Sequence, residues 1–194
     1  YAHGLISSQI AKIIYKKSNF LSINCQINSS NINSHTLKKY KNYELLVINE
    51  SELRHEFRDN FSNIKLLIKK ISVDLKILNI IVTQGSLGAI LYSSKERKFY
   101  TCPAFASKIV DKVGAGDAML ALSSICLKLN IDKNLLLLIG SLASSQVVET
   151  IGNSKSVNKM DLLKSINLVP LMNTYLPSLK NLPIPVPYSP SKSI

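Results

Sequence analysis

Asp111-Lys112-Val113-Gly114-Ala115-Gly116-Asp117, with the apolar run Ala118 to Leu129 behind it, is the stretch that decides how this chain reads. Two glycines flank a small residue, an aspartate follows at once, and a helical pattern comes next. Glycine admits positive φ and close approach of another group to the main chain. Successive N–H groups in such a turn can form a concave nest for an anion. The following helix adds its unpaired first N–H groups and the positive end of its dipole. Gly114, Ala115 and Gly116 therefore read as a cradle for an anion, most naturally a phosphate. A carboxylate beside a phosphate is repulsive unless it has chemical work. The work that suits Asp117 is to take a proton from a hydroxyl attacking phosphorus. The plain alternative is a tight turn with Asp117 as a helix cap or first-turn acid, and the apolar run as a buried helix.

Outward from this stretch, strands alternate with helices. Leu5 to about Lys17 carries one apolar helical face, and Phe20 to Asn24 alternates as a short strand. Gln26 to Asn33 is an Asn/Ser-rich loop, and Glu44 to Ile48 is a second strand. Asn49-Glu50-Ser51-Glu52 then opens a helix, where acids are ordinary dipole partners. A helix from about Asn63 to Lys70 precedes the buried-type strand Asn79 to Thr83. Gln84-Gly85-Ser86-Leu87-Gly88 is a turn in which both glycines need their small size. Ala89 to Ser93 and Lys98 to Cys102 form a hairpin over the charged turn Ser94 to Arg97. Asp132 caps a helix from Lys133 to Val148, and Asn158 caps a last one from Lys159 to Ile166. This order predicts an α/β fold with a mostly parallel sheet, helices on both faces and an antiparallel hairpin. In such sheets ligands lie beyond the carboxyl ends of the strands. Asn49, Thr83 and Gly114 all follow apolar strand-like runs.

Asp-x-x-Gly-Ala-Gly-Asp resembles the C-terminal signature of ribokinase-like (PfkB-type) sugar kinases. The resemblance runs from Tyr1 to about Ile166, as the second half of such a kinase, and implies a three-layer α/β/α domain. Phe20 to Asn28, Cys102-Pro-Ala-Phe-Ala106 and Val148 to Asn153 are most similar to kinase domains of the heptose-phosphate and adenylyltransferase-associated group. The resemblance implies ATP-dependent phosphoryl transfer to a hydroxyl of a sugar or sugar phosphate. It makes Asp117 the general base and Gly114, Ala115 and Gly116 the anion hole. Thr83, Gly85 and Gly88 match Thr-x-Gly-x-x-Gly, where ATP phosphates lie, and Asn153 falls in the loop bordering the adenine. Asn49 and Glu52 match Asn-x-x-Glu, linked in the family to magnesium. Asp111 matches the aspartate that helps hold a monovalent cation, often potassium, or else serves structure alone. Family members carry an Asp-aromatic-Gly-x-Gly element where this chain has Tyr1-Ala2-His3-Gly4, so the N-terminal part of the domain, with most sugar contacts, is expected to precede Tyr1. The alternative is a nucleotide-binding fragment, or half of a split kinase, without turnover of its own. Further partners implied are a second copy of the chain or a fused or associated nucleotidyltransferase domain.

Bulk properties narrow the remaining classes. The 194 residues are 46% hydrophobic and 19% charged, which suits one folded domain with a core. The net charge of +12 comes nearly all from scattered lysines. Nucleic-acid binders more often cluster basic residues between aromatics, so an anionic small-molecule substrate explains the charge better. Cys25, Cys102 and Cys126 lack CxxC spacing, and His3, His35 and His55 form no metal-type cluster, so reduced thiols in a cytoplasmic protein without zinc are expected. No run reaches membrane-spanning length, and there is neither a P-loop nor a dinucleotide fingerprint. The kinase part is expected over residues 1–167. Six of the seven prolines lie beyond it, so residues 168–194 are read as an extended or disordered tail with no chemistry.

Overall fold

A computed structural model of the protein describes residues 8–24, 37, 43–106, 108–150 and 156–168. In chain order the elements are α1 (Ser8–Lys17), β1 (Ser22–Asn24), β2 (Leu45–Asn49), α2 (Glu50–Phe57), α3 (Ile64–Leu75), β3 (Asn79–Thr83), β4 (Ala89–Ser93), β5 (Lys98–Cys102), α4 (Ala115–Lys128), α5 (Lys133–Val148) and α6 (Lys159–Leu168). A single 3-10 turn, Gly85–Leu87, joins β3 to β4.

The strands lie in sequence order, β1-β2-β3-β4-β5. β1, β2 and β3 are parallel, and β4 and β5 follow by antiparallel pairing. β5 therefore runs in the direction of β3, and four of the five strands end at the same edge. Each of β2, β3 and β4 buries at least four consecutive residues, the pattern of a sheet covered on both faces.

Alternation along the strands divides the core into two layers. Leu45, Val47, Ile81, Leu91 and Tyr100 point into a cluster with Met119 of α4, Leu135 to Ile139 of α5 and Leu162 of α6. Leu46, Ile48, Ile80, Val82 and Tyr92 point the other way, onto Leu53 of α2 and Leu67, Ile68 and Ile71 of α3. The three-layer α/β/α architecture expected from the sequence is thus observed. α4 and α5 approach closely at Gly140, where a Cβ would lie 2.5 Å from Met119 Sδ and 2.5 Å from Ser123 Oγ. Cys102 and Cys126 are buried and unpaired, and burial pushes the Cys126 thiol up to about 11 and the Cys102 thiol above its ordinary value. Both are unreactive core residues. No helix among the described residues is long and apolar enough to cross a membrane.

Strand ends and the end of α6 differ from the sequence reading by one or two residues, and two helix ends among the described residues differ by three or more. α3 runs to Leu75 rather than Lys70, because Ile71, Ser72 and Leu75 continue its buried face until Lys76 turns left-handed at φ 54°. α4 begins at Ala115 rather than Ala118, with Gly114 as its cap at φ 83°. Ala115, Gly116 and Asp117 therefore form the first turn of the helix itself. The Gln26–Asn33 loop, the Ile151-Gly152-Asn153 loop and the proline-rich segment lie outside the described residues.

Candidate active site

The ends of β1, β2, β3 and β5, the start of β4 and the first turn of α4 converge on one cleft of about 870 Å³. Asn49, Glu52, Thr83, Gly85, Gly88, Gly114, Ala115, Gly116 and Asp117 all line it. These positions span 69 residues of chain, from Asn49 to Asp117 inclusive, and the sheet topology brings them together. Asp111 does not line the cleft. Its Oδ1 accepts from Val113 N–H at 3.0 Å, and its own N–H donates to Val148 O at 3.1 Å, so it shapes the loop that leads into the cradle. Asn153 lies outside the described residues.

The cradle is built by omission. Gly114 has no side chain with which to cap α4, so no side chain covers the first-turn N–H groups of the helix. Ala115 N–H reaches back to Lys112 O at a long 3.4 Å, while Ser144 Oγ donates to Ala115 O at 2.6 Å and ties the turn to α5. Asp117 stands in this first turn with an exposed side chain, and Asn24 Nδ2 donates to its Oδ1 at 3.1 Å.

At the end of β2, Asn49 and Glu52 form a capping box. Asn49 Oδ1 accepts from Glu52 N–H at 2.8 Å, and Glu52 Oε2 accepts from Asn49 N–H at 3.0 Å. The same pair presents hard oxygen atoms at the cleft wall, the donor type that magnesium takes when phosphates and water complete its shell. Among the described residues no group of three or more His, Cys, Asp or Glu could hold a metal alone.

Gly85 and Gly88 differ in what they require. A Cβ on Gly88 would lie 2.0 Å from Cys102 O and 2.7 Å from Pro103 C, and the residue has φ 90°. A Cβ on Gly85 would meet nothing within 4 Å, so the expectation that Gly85 needs its small size is corrected: only its φ of 59° favours glycine.

Sequence reasoning passed over Asn24, Glu50, Gln84 and Lys112, all of which line the cleft. Glu50 Oε2 accepts from Gln84 Nε2 at 2.7 Å, and Glu50 Oε1 pairs with Arg54 at 2.8 Å. Arg54 Nη1 also donates to Ser62 O at 3.0 Å. The Gln84 bond, then Arg54, holds the Glu50 carboxyl below its ordinary 4.5 against the opposing effect of burial. A depressed carboxylate stabilises the fold above its unfolded value and loses that contribution as pH falls through the folded one. The prediction is that Glu50→Gln flattens the fall of the urea midpoint below pH 4.5; an unchanged acid profile would show that the network carries no stability. Nothing in the spacing of Glu50 and Gln84 marks them, since their meeting depends on the register of β2 against β3.

The family model described as pfkB family carbohydrate kinase matches residues 8–160. The bifunctional protein HldE of Campylobacter jejuni (serotype O:6) is 27% identical over 176 residues, which cover 86% of this chain and 37% of that protein. Ribokinase of Arabidopsis thaliana, solved with ribose and ATP, superposes with a TM-score of 0.61 at 22% identity, over 82% of this chain and 51% of that one. Phosphofructokinase-2 of Escherichia coli, solved with potassium, gives 0.65 at 19% identity, over 81% and 50%. These structures establish the shared fold. The chain spans about half their length and little more than a third of HldE.

Proposed function

The chain belongs to the pfkB family of carbohydrate kinases, and on that premise we propose that its cleft transfers the γ-phosphoryl group of ATP to a hydroxyl of a sugar or sugar phosphate. The observation that carries this reading is the uncapped first turn of α4 with Asp117 in it, at the edge where β1, β2, β3 and β5 end.

In the proposed reaction the acceptor oxygen attacks the γ-phosphorus, the bond to the β-phosphate oxygen breaks, and ADP leaves. The acceptor proton passes to the Asp117 carboxylate and then to solvent. N–H groups of the Gly114–Gly116 turn meet charge on the transferring phosphoryl. Donors of this kind contribute about 3 kcal/mol each where comparable holes have been dissected. Arg54 is committed to Glu50, whereas the exposed Lys112 ammonium makes no ion pair among the described residues, so Lys112 supplies positive charge at the cleft mouth. Thr83 and the Gly85–Gly88 turn would face the nucleotide phosphates. Magnesium bound with the nucleotide supplies charge neutralisation, and Asn49 and Glu52 would be its protein-side oxygen donors. A monovalent cation, as named for the phosphofructokinase-2 structure, would act through the loop that Asp111 shapes.

Asn49→Ala serves as a check on the double role. Loss of the cap lowers stability by about 1 kcal/mol, and the magnesium concentration for half-maximal turnover rises. A lowered melting point with an unchanged magnesium titration would leave Asn49 a cap only. The proposal as a whole is tested by ADP release with magnesium and potassium against a panel of sugars and sugar phosphates. Acceptor-dependent release supports it. ATP binding without release favours a second reading, a nucleotide-binding module without turnover of its own.

A further inference from the structure

The geometry points to Asn24 as the residue that positions Asp117 for proton transfer, and this rests on the reading of Asp117 as the proton acceptor. Asn24 is the last residue of β1, 93 positions before Asp117, and its Nδ2 donates to Asp117 Oδ1 at 3.1 Å. The approach is close on a second count. A Cβ on Gly116 would stand 3.1 Å from the same Nδ2, so only glycine lets the α4 turn come this near the strand end without displacing the carboxamide. Both residues line the cleft.

Asp117 needs such a partner. It lies in the first turn of a helix whose cap has no side chain, and its own side chain is exposed. A carboxylate left to rotate there samples directions that do not face an acceptor hydroxyl. An amide N–H can only donate. Bonded to Oδ1, it fixes the plane of the carboxylate and leaves Oδ2 to meet the hydroxyl. The donor is also neutral. A lysine or arginine in its place would pair with the carboxylate and compete for the charge that the proton must find. A donor on a strand end is held by the β1–β2 pairing, which sets Asn24 opposite Val47, and this suits a group that must hold another in place. The sequence signals none of this, because Asn24 reads only as the end of a short strand and meets Asp117 through tertiary packing.

The test combines kinetics and a spectroscopic signature. Asn24→Ala is expected to lower kcat about 10- to 100-fold, the range that one hydrogen bond to a charged group corresponds to, with the KM for ATP unchanged. Asn24→Asp keeps the shape, removes the donor and adds a like charge, so its loss is expected to exceed that of Asn24→Ala. In ¹⁵N-labelled protein the Asn24 carboxamide signals, assigned by their disappearance in Asn24→Asp, are expected to move in Asp117→Ala. An unmoved signal, or a kcat in Asn24→Ala equal to that of the unaltered protein, overturns the inference. Failure of the underlying reading looks different. Full turnover in Asp117→Asn removes the proton acceptor even if the carboxamide signal moves, whereas an inactive Asp117→Asn beside a fully active Asn24→Ala removes only the positioning role. If the unaltered chain turns over no acceptor, the kinase reading fails, and the positioning of a catalytic base fails with it.

Discussion

Replacing Asp117 with asparagine lowers phosphoryl transfer by about 10²- to 10⁴-fold, the usual range for a general base, and leaves ATP binding largely intact. An amide is nearly isosteric with a carboxylate and can still contact Asn24, but it cannot take the acceptor proton. Charge repulsion between carboxylate and phosphate is also removed, so nucleotide affinity holds or rises slightly. Loss confined to kcat is the signature of an interaction made in the transition state. An equal rise in the KM for ATP would instead identify Asp117 as a binding or capping residue. Turnover near that of the unaltered protein would end its role as base.

Gly88→Ala gives the largest loss of stability, about 3 kcal/mol, combining a φ and ψ that only glycine adopts freely with a backbone clash. At φ 90° and ψ −133° the added methyl would stand 2.0 Å from Cys102 O and 2.8 Å from Ala104 N. These are main-chain atoms and cannot rotate away. Either the start of β4 or the segment after β5 must shift, and both form the cleft wall. The melting temperature is expected to fall by about 10 °C. Gly85→Ala is the control, because its methyl enters open space and only the left-handed φ of 59° opposes it, at about 1 kcal/mol. Equal losses at the two positions in thermal unfolding would contradict the close approach at Gly88.

What the sequence disclosed and what it concealed follow from range. The strands at Asn79–Thr83, Ala89–Ser93 and Lys98–Cys102 and the helix Lys133–Val148 were read with the observed ends, because apolar runs bounded by Gly, Asp or charged turns are local signals. α3 runs past Lys70 because its buried face resumes at Ile71. Helices on both faces were expected from the order of elements, and the strands divide the core between those faces. Of the residues expected at the site, Asn49, Glu52, Thr83, Gly85, Gly88 and Gly114 to Asp117 share one cleft because each ends or begins an element at the same sheet edge. Asp111 does not reach it, since its side chain is spent on the turn it starts. Asn24, Glu50 and Gln84 were hidden because each acts across elements, through contacts that register and helix packing create.

Whether this cleft moves phosphorus is open to a direct measurement. Incubation of the chain with ATP labelled at the γ-phosphate, magnesium, potassium and a mixture of sugars and sugar phosphates, followed by separation of products, answers that directly. Label on a sugar hydroxyl, absent from the Asp117→Asn reaction, is the predicted result. Label that stays in ATP or appears only as free phosphate, with every acceptor, would contradict the transfer assigned to Asp117 and the Gly114–Gly116 cradle.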